Sequence, residues 1–339
     1  MRNVRNWLAL FLITLLGVLI GWHWQWFSSL PLGTEVDWRS LSSDFLQETD
    51  VPLNARRAIE TPTINSDRLF ADLQSLSVPR FTEADRANTR AYLVQSLQAA
   101  GWQPETLSYD TGVNLVATRL GTDPTAGTIL VGAHYDTVAR SPGADDNATA
   151  VAAVLEIARV FQTPTPATLQ IALFDQEEVG LLGSVDFSRH ALREDLRGAV
   201  ILEMLGYACY REGCQSYPAV LPITPPTNRG DFLAVIGDQG HTFLIDSFTR
   251  STQADLPQVL TLAIPLLGPL TPDLLRSDHA PFWQEGIGAV MVTDTANFRN
   301  PHYHESTDTP ETIDRPFFSG SVQLVANALA ELLNPNSPS

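Results

Sequence analysis

Positive charge is scarce in this chain: 21 basic residues face 38 acidic ones across 339 positions, a formal net charge of −17. Gripping a phosphate backbone needs a surplus of Lys and Arg, and no basic run follows the first residues, so nucleic acid is excluded as a partner. Charged residues make up only 17% of the chain against 44% hydrophobic, which excludes a disordered polypeptide. No internal repeat and no long low-complexity segment is present. Cysteine is limited to Cys209 and Cys214. Without a second pair they do not complete a four-cysteine metal site. They read as a small-loop disulfide if the chain is exported, or else as two free buried thiols. The length suits one large domain or two small ones, and a pI near 4.7 fits an acidic extracytoplasmic protein without naming a substrate.

Residues 7–22, WLALFLITLLGVLIGW, are almost wholly apolar; Arg2 and Arg5 precede them and Trp24 and Trp26 follow. With residues 24–27 included, the stretch reaches the roughly 20 residues that cross a bilayer as a helix. Positive charge ahead of the span predicts a cytoplasmic N-terminus and an extracytoplasmic remainder, and the tryptophans suit the far interface. No small-x-small cleavage site follows the apolar run, which favours a retained signal anchor over a cleaved signal peptide. The expected organisation is a cytoplasmic tip and transmembrane anchor over 1–27, a linker over 28–62, one folded domain over 63–334 and a disordered tail over 335–339.

Past the linker the apolar period becomes helical, with Leu69, Leu73 and Leu76 on one face. A second helix is predicted over 82–100, with Glu83 and Asp85 in its first turn and Gly101 beyond its end. Strands are then predicted over 113–119, 128–133, 168–174, 199–205, 232–236, 259–264 and 289–293. Helices are predicted over 149–161, 181–192, 240–252 and 317–333. This alternation predicts an α/β fold, a three-layer sandwich with a mixed, largely parallel central sheet flanked by helices, plus the N-terminal transmembrane helix. Residues 206–230, rich in Gly, Pro, Tyr and Cys, read as a long irregular insertion.

Ligands of open parallel sheets bind beyond the carboxyl ends of the strands, where this sequence repeatedly places unusual polar residues. TILVGA runs into His134-Tyr135-Asp136, and the following loop carries Asp145-Asp146-Asn147. LQIALFD runs into Gln176-Glu177-Glu178, GAVILEM carries Glu203, and His302 and His304 come late in the chain. Imidazoles and carboxylates converging on one spot suit a divalent metal, zinc above all. Two such ions close together need a bridging carboxylate and an activated water. Successive residues leaving a strand point in different directions. One glutamate of the Glu177-Glu178 pair can therefore bind metal while the other handles a proton. Asp136 can reach back to the second nitrogen of His134 and fix its orientation.

Together GAHYDT, GADDNATA, FDQEEVGLLGS, ILEMLGY, SDHAPF and HYHESTDTPETID resemble the co-catalytic zinc aminopeptidases, a family that also takes in glutamate carboxypeptidases and glutaminyl cyclases. The resemblance spans roughly residues 65–333. It implies two Zn2+ ions per chain, with His134, Asp146, Glu178, Glu203 and His304 as ligands. Asp146 rather than Asp145 takes the bridging place, and His304 rather than His302 the last ligand place. Glu203 stands where many members have Asp. Glu177 is the implied general base, Asp136 the residue that orients His134, and Ser277-Asp278-His279 matches a segment near the substrate pocket. The one N-x-Ser/Thr sequon, Asn147-Ala148-Thr149, lies in the implied metal loop and reads as unglycosylated. The implied activity is hydrolysis of N-terminal residues from peptides with a free amine. A glutaminyl cyclase on the same scaffold, a carboxypeptidase or dipeptidase using Arg211, Arg229, Arg276 or Arg299 for the substrate carboxylate, and a catalytically silent binding module are the alternatives.

Overall fold

The computed structural model describes residues 61–190, 194–219, 221, 224–264 and 272–335. The expected anchor, nearly all of the linker and all but the first residue of the tail lie outside these residues. Among the described residues, no helix is long and apolar enough to cross a membrane.

Two helices open the domain. α1 (Ser66–Leu76) is capped by Asn65, whose side chain accepts the Arg68 N–H, and it buries Leu69, Leu73 and Leu76. α2 (Glu83–Ala99) starts with a capping box in which Thr82 and Asp85 satisfy each other's backbone N–H. The strands β1 (Pro104–Ser108), β2 (Val113–Arg119), β3 (Thr128–His134), β4 (Thr168–Phe174), β5 (Leu196–Glu203), β6 (Phe232–Asp238), β7 (Gln258–Ile264) and β8 (Ala289–Thr293) form one sheet. Their order is β1-β2-β4-β3-β5-β8-β6-β7. β4, β3, β5 and β8 run parallel, as do β6 and β7. The pairings β1–β2, β2–β4 and β6–β8 are antiparallel.

The central strands are apolar throughout because both faces are covered, and alternate residues serve opposite layers. Ile129, Val131, Ile171, Val200, Leu202 and Val292 face a large core beneath α1, α2, α3 (Ala150–Val160), α5 (Thr242–Arg250) and α7 (Arg315–Leu332). Leu130, Ala172, Phe174, Ile201 and Met291 face a smaller core built with Phe187 of α4 (Leu182–His190) and with Phe282 and Trp283 of α6 (Ala280–Gln284). The expected sandwich is therefore present, with its parallel strands grouped at the centre. The helix expected from Thr149 begins at Ala150, because residues 144–149 form a kinked π-type turn. β1 and α6 were not anticipated: β1 is a half-exposed edge strand without an apolar alternation, and α6 is five residues long. The described residues of the insertion at 206–230 are irregular, and they carry a Cys209–Cys214 disulfide and a bridge between Cys209 and Gly230. Of the two readings of the cysteines, the disulfide is the one observed.

Candidate metal centre

Because β3, β4 and β5 are parallel neighbours, their carboxyl ends open on one edge. His134 closes β3, Glu177 and Glu178 follow β4, and Glu203 closes β5. The loop after β3 brings Asp146 to the same point, and the loop before α7 brings His304. These side chains form two groups that share one residue. Ligand atoms of His134, Asp146 and Glu203 lie within 4.8 Å of one another, and so do those of Asp146, Glu178 and His304.

The aspartate faces both groups with different atoms. Asp146 Oδ1 lies 3.4 Å from His134 Nε2, which is also 3.5 Å from Glu203 Oε1. Asp146 Oδ2 lies 3.1 Å from His304 Nε2, which is 2.9 Å from Glu178 Oε2. Proximity does not make these contacts hydrogen bonds. His134 Nδ1 and Nε2, His304 Nε2, Asp146 Oδ2 and Glu178 Oε1 are buried with no hydrogen-bond partner. Buried polar atoms are expensive to leave unpaired, and nitrogen and carboxylate oxygen aimed at common points are the donors a divalent zinc ion takes. The residues fit such a group.

The electrostatics agree. Burial alone would disfavour charge on His304, but Asp146 and Glu178 overcome it and raise its pKa to about 10. Burial opposes charge on His134 too, and Glu203 and Glu177 raise it well above the ordinary range. Burial and the adjacent Asp146 charge push Glu178 up to about 7. Burial also acts on Asp146, but the two imidazoles hold it below the usual carboxylate range. The cluster is a pocket of excess negative charge that retains protons where a cation would replace them.

Supporting contacts explain why each group points as it does. Asp308 accepts the N–H groups of Asp145 at 2.9 Å and Asp146 at 3.1 Å on its two oxygens. Asn147 donates to Leu202 O and accepts from Met204 N, which ties the loop to the end of β5. That Asn147 is fully buried agrees with an unglycosylated sequon. Gly143 has φ of +62°, and a Cβ there would stand 2.3 Å from Asp146 O, so the turn into the loop needs glycine. Arg80, fully buried, donates to the carbonyls of Leu76, Val78, Tyr135, Pro142 and Gly143 and thereby fastens the α1–α2 connection to this loop. Ser277 Oγ donates to Glu203 Oε2 at 2.6 Å. Asp136 accepts the N–H of Glu177 at 3.0 Å and of Glu178 at 3.2 Å, and lies 3.4 Å from His134 Nδ1.

The neighbours that compete with the expected ligands are engaged elsewhere. Asp145 accepts from Gly206 N and Asn300 Nδ2, and His302 pairs with Thr307. Glu177 belongs to neither group. Burial first, then Glu203, Asp278 and Glu178, raise its pKa well above the carboxylate range against the pull of His134. Sequence reasoning missed the roles of Arg80, Ser277 and Asp308. Ser277 and Asp308 lay within quoted motifs, whereas nothing local marked Arg80.

An α/β domain with imidazoles and carboxylates gathered at the carboxyl edge of its parallel strands belongs, as a class, with the metal-dependent hydrolases. A match to Peptidase family M28 covers residues 114–329, and the chain belongs to that family. The uncharacterized protein YfbL of Escherichia coli (strain K12) is 33% identical over 221 residues, 61% of this chain and 66% of that protein. Aminopeptidase YwaD of Bacillus subtilis (strain 168) is 28% identical over 216 residues, 60% of this chain and 40% of that protein. The chain thus spans less than two thirds of the length of these relatives. Among solved structures, the LapA aminopeptidase of Legionella pneumophila superposes with a TM-score of 0.62 at 21% identity, covering 81% of this chain and 73% of that one. Porphyromonas gingivalis glutaminyl cyclase does so with 0.55 at 19% identity, covering 80% and 99%. These likenesses show a shared fold.

Proposed function

We propose that this protein is a membrane-anchored zinc exopeptidase that removes N-terminal residues from peptides, with two ions per chain. The carrying observation is that the two oxygens of Asp146 face separate groups, one completed by His134 and Glu203 and the other by Glu178 and His304. Bound there, divalent zinc supplies Lewis acidity that polarises a carbonyl and acidifies water toward neutral pH.

The protein's own residues do the rest. Glu177, half-buried beside both groups but part of neither, accepts the proton of the attacking water and returns it to the leaving amine. Asp136 steadies the catalytic turn by holding the N–H groups of Glu177 and Glu178. It does so while lying against His134. The free α-amine of a peptide finds its counter-charge among the carboxylates of the cluster, which suits cleavage at the N-terminal end. The apolar run at 7–22 behind Arg2 and Arg5 supports a retained anchor with the catalytic domain extracytoplasmic. The Cys209–Cys214 disulfide fits that oxidising side. Two complete ligand groups favour this reading over a one-zinc glutaminyl cyclase.

The test is a panel of free and N-acetylated peptides, with an N-terminal Gln peptide included, assayed with and without chelator. Release of N-terminal amino acids from the free peptides only, abolished by chelator, is expected. Ammonia and pyroglutamate from the Gln peptide without peptide cleavage would replace this reading with the cyclase.

A further inference from the structure

Glu177 leaves the sheet on a strained turn. Gln176, the residue before it, has φ of +60°. A residue other than glycine enters this left-handed region at a cost, and stays there only where its surroundings fix it. The carbonyls of the turn are fixed from the start of α4. Gln176 O accepts from Leu182 N at 3.0 Å, and Asp175 O accepts from Gly183 N at 2.9 Å. The Gln176 side chain is held by a different element, the tip of the hairpin that joins β1 to β2.

The sheet register brings that tip to the site. β2 runs antiparallel to β4 with Leu115 opposite Leu173, so the chain just ahead of β2 reaches the carboxyl end of β4. There Val113 N donates to the Asp175 carboxylate at 3.0 Å. Tyr109 N donates to Gly112 O at 3.0 Å and closes the hairpin. Thr111 Oγ1 donates to Gln176 Oε1 at 2.7 Å. The Tyr109 hydroxyl donates to Asp175 O at 2.9 Å and stands 3.3 Å from Gln176 Oε1. A Cβ on Gly112 would lie 2.3 Å from the Tyr109 oxygen and 2.8 Å from Gln176 Oε1, so glycine is what lets these side chains meet.

The side chains of Tyr109, Thr111 and Gln176 lie outside both apolar cores. Thr111 is exposed, and the other two are half-buried. Their contacts converge instead on the residue next to the base. We propose that Tyr109 and Thr111 are positioning residues, which act through Gln176 to set where the Glu177 carboxylate stands. The rate of this chain then depends on an edge hairpin that belongs to neither metal group. This inference rests on the reading of Glu177 as general base. A displaced base slows the chemical step without weakening substrate binding, so the effect falls on kcat and spares KM.

The test measures kcat, KM and zinc per chain on trialanine for the full-length wild type, Thr111→Val, Thr111→Ser, Gln176→Ala, Glu177→Gln and the double variant Thr111→Val/Glu177→Gln, each checked for folding by circular dichroism. Loss of one partly exposed hydrogen bond predicts kcat about threefold lower in Thr111→Val, and loss of the shared acceptor predicts about tenfold in Gln176→Ala, with KM and zinc at wild-type values. Thr111→Ser keeps the donor and recovers most of the rate lost in Thr111→Val. In the Glu177→Gln background no base remains to be aimed, so adding Thr111→Val costs nothing further. Wild-type kcat in both Thr111→Val and Gln176→Ala overturns the brace and leaves the base in place, as does the same loss from Thr111→Val with and without Glu177. A fall in zinc alongside the rate also overturns it, because the tip then acts on the metal centre. Near-normal turnover in Glu177→Gln removes the base and the brace together, and a wild type that does not cleave trialanine overturns the aminopeptidase reading with them.

Discussion

Ser277→Ala should weaken one half of the centre and spare the other. The substitution removes a single 2.6 Å hydrogen bond to Glu203 Oε2 and no contact to Glu178 or His304. Hydrogen bonds to charged groups contribute about 1.5–3 kcal/mol. Glu203 is 12% exposed at its side chain, so water can replace part of the lost bond and the lower end applies. Losses of support behind a metal ligand typically cost about 10–100-fold in affinity, and about tenfold is expected here, confined to the ion proposed for the group of His134, Asp146 and Glu203. Chelator titration followed by metal analysis resolves two release steps if the ions differ in affinity. The predicted result is that one step moves by about tenfold and the other stays. Equal weakening of both steps, or of neither, would refute the assignment of Glu203 to one group alone.

Three further outcomes follow from the same contacts. Glu177→Gln should keep fold and metal content while kcat falls by about 10²–10⁴, and near-normal turnover would remove Glu177 as the base. Arg80→Met leaves five carbonyls, three of them on buried residues, without their donor, so thermal unfolding should occur at least about 6 °C lower; an unchanged melting temperature would mean water replaces the guanidinium. His279 is fully buried, and burial depresses its pKa to about 4. The unfolded chain therefore binds a proton that the fold excludes, and stability is full above about pH 6.5 and declines as pH falls toward 4, by about 3 kcal/mol from this group. The difference between wild type and His279→Gln across that window isolates its share, and parallel pH profiles would contradict it.

The sequence carried the framework of the site because strand ends are visible in it. His134, Glu177, Glu178 and Glu203 each interrupt or terminate an apolar run, and parallel strands deliver such residues to one edge. Choosing Asp146 over Asp145 and His304 over His302 needed the family resemblance, because neighbours on an irregular loop are separated by torsion angles that no periodicity encodes. Arg80, Ser277 and Asp308 act across long stretches of chain, so neither spacing nor composition marked their roles. In the fold, β1 escaped notice because an edge strand with a half-exposed PETLS sequence shows no alternation. The antiparallel pairings β2–β4 and β6–β8 depend on how connections cross the sheet, which local patterns do not record.

The central claim is that Asp146 joins two metal positions. Counting zinc per folded chain by elemental analysis, in the wild type and in Asp146→Ala, tests it most directly. The account predicts two ions in the wild type and loss of both, or nearly so, in the variant. A wild type that saturates at one ion, or a variant that still holds two, would contradict it.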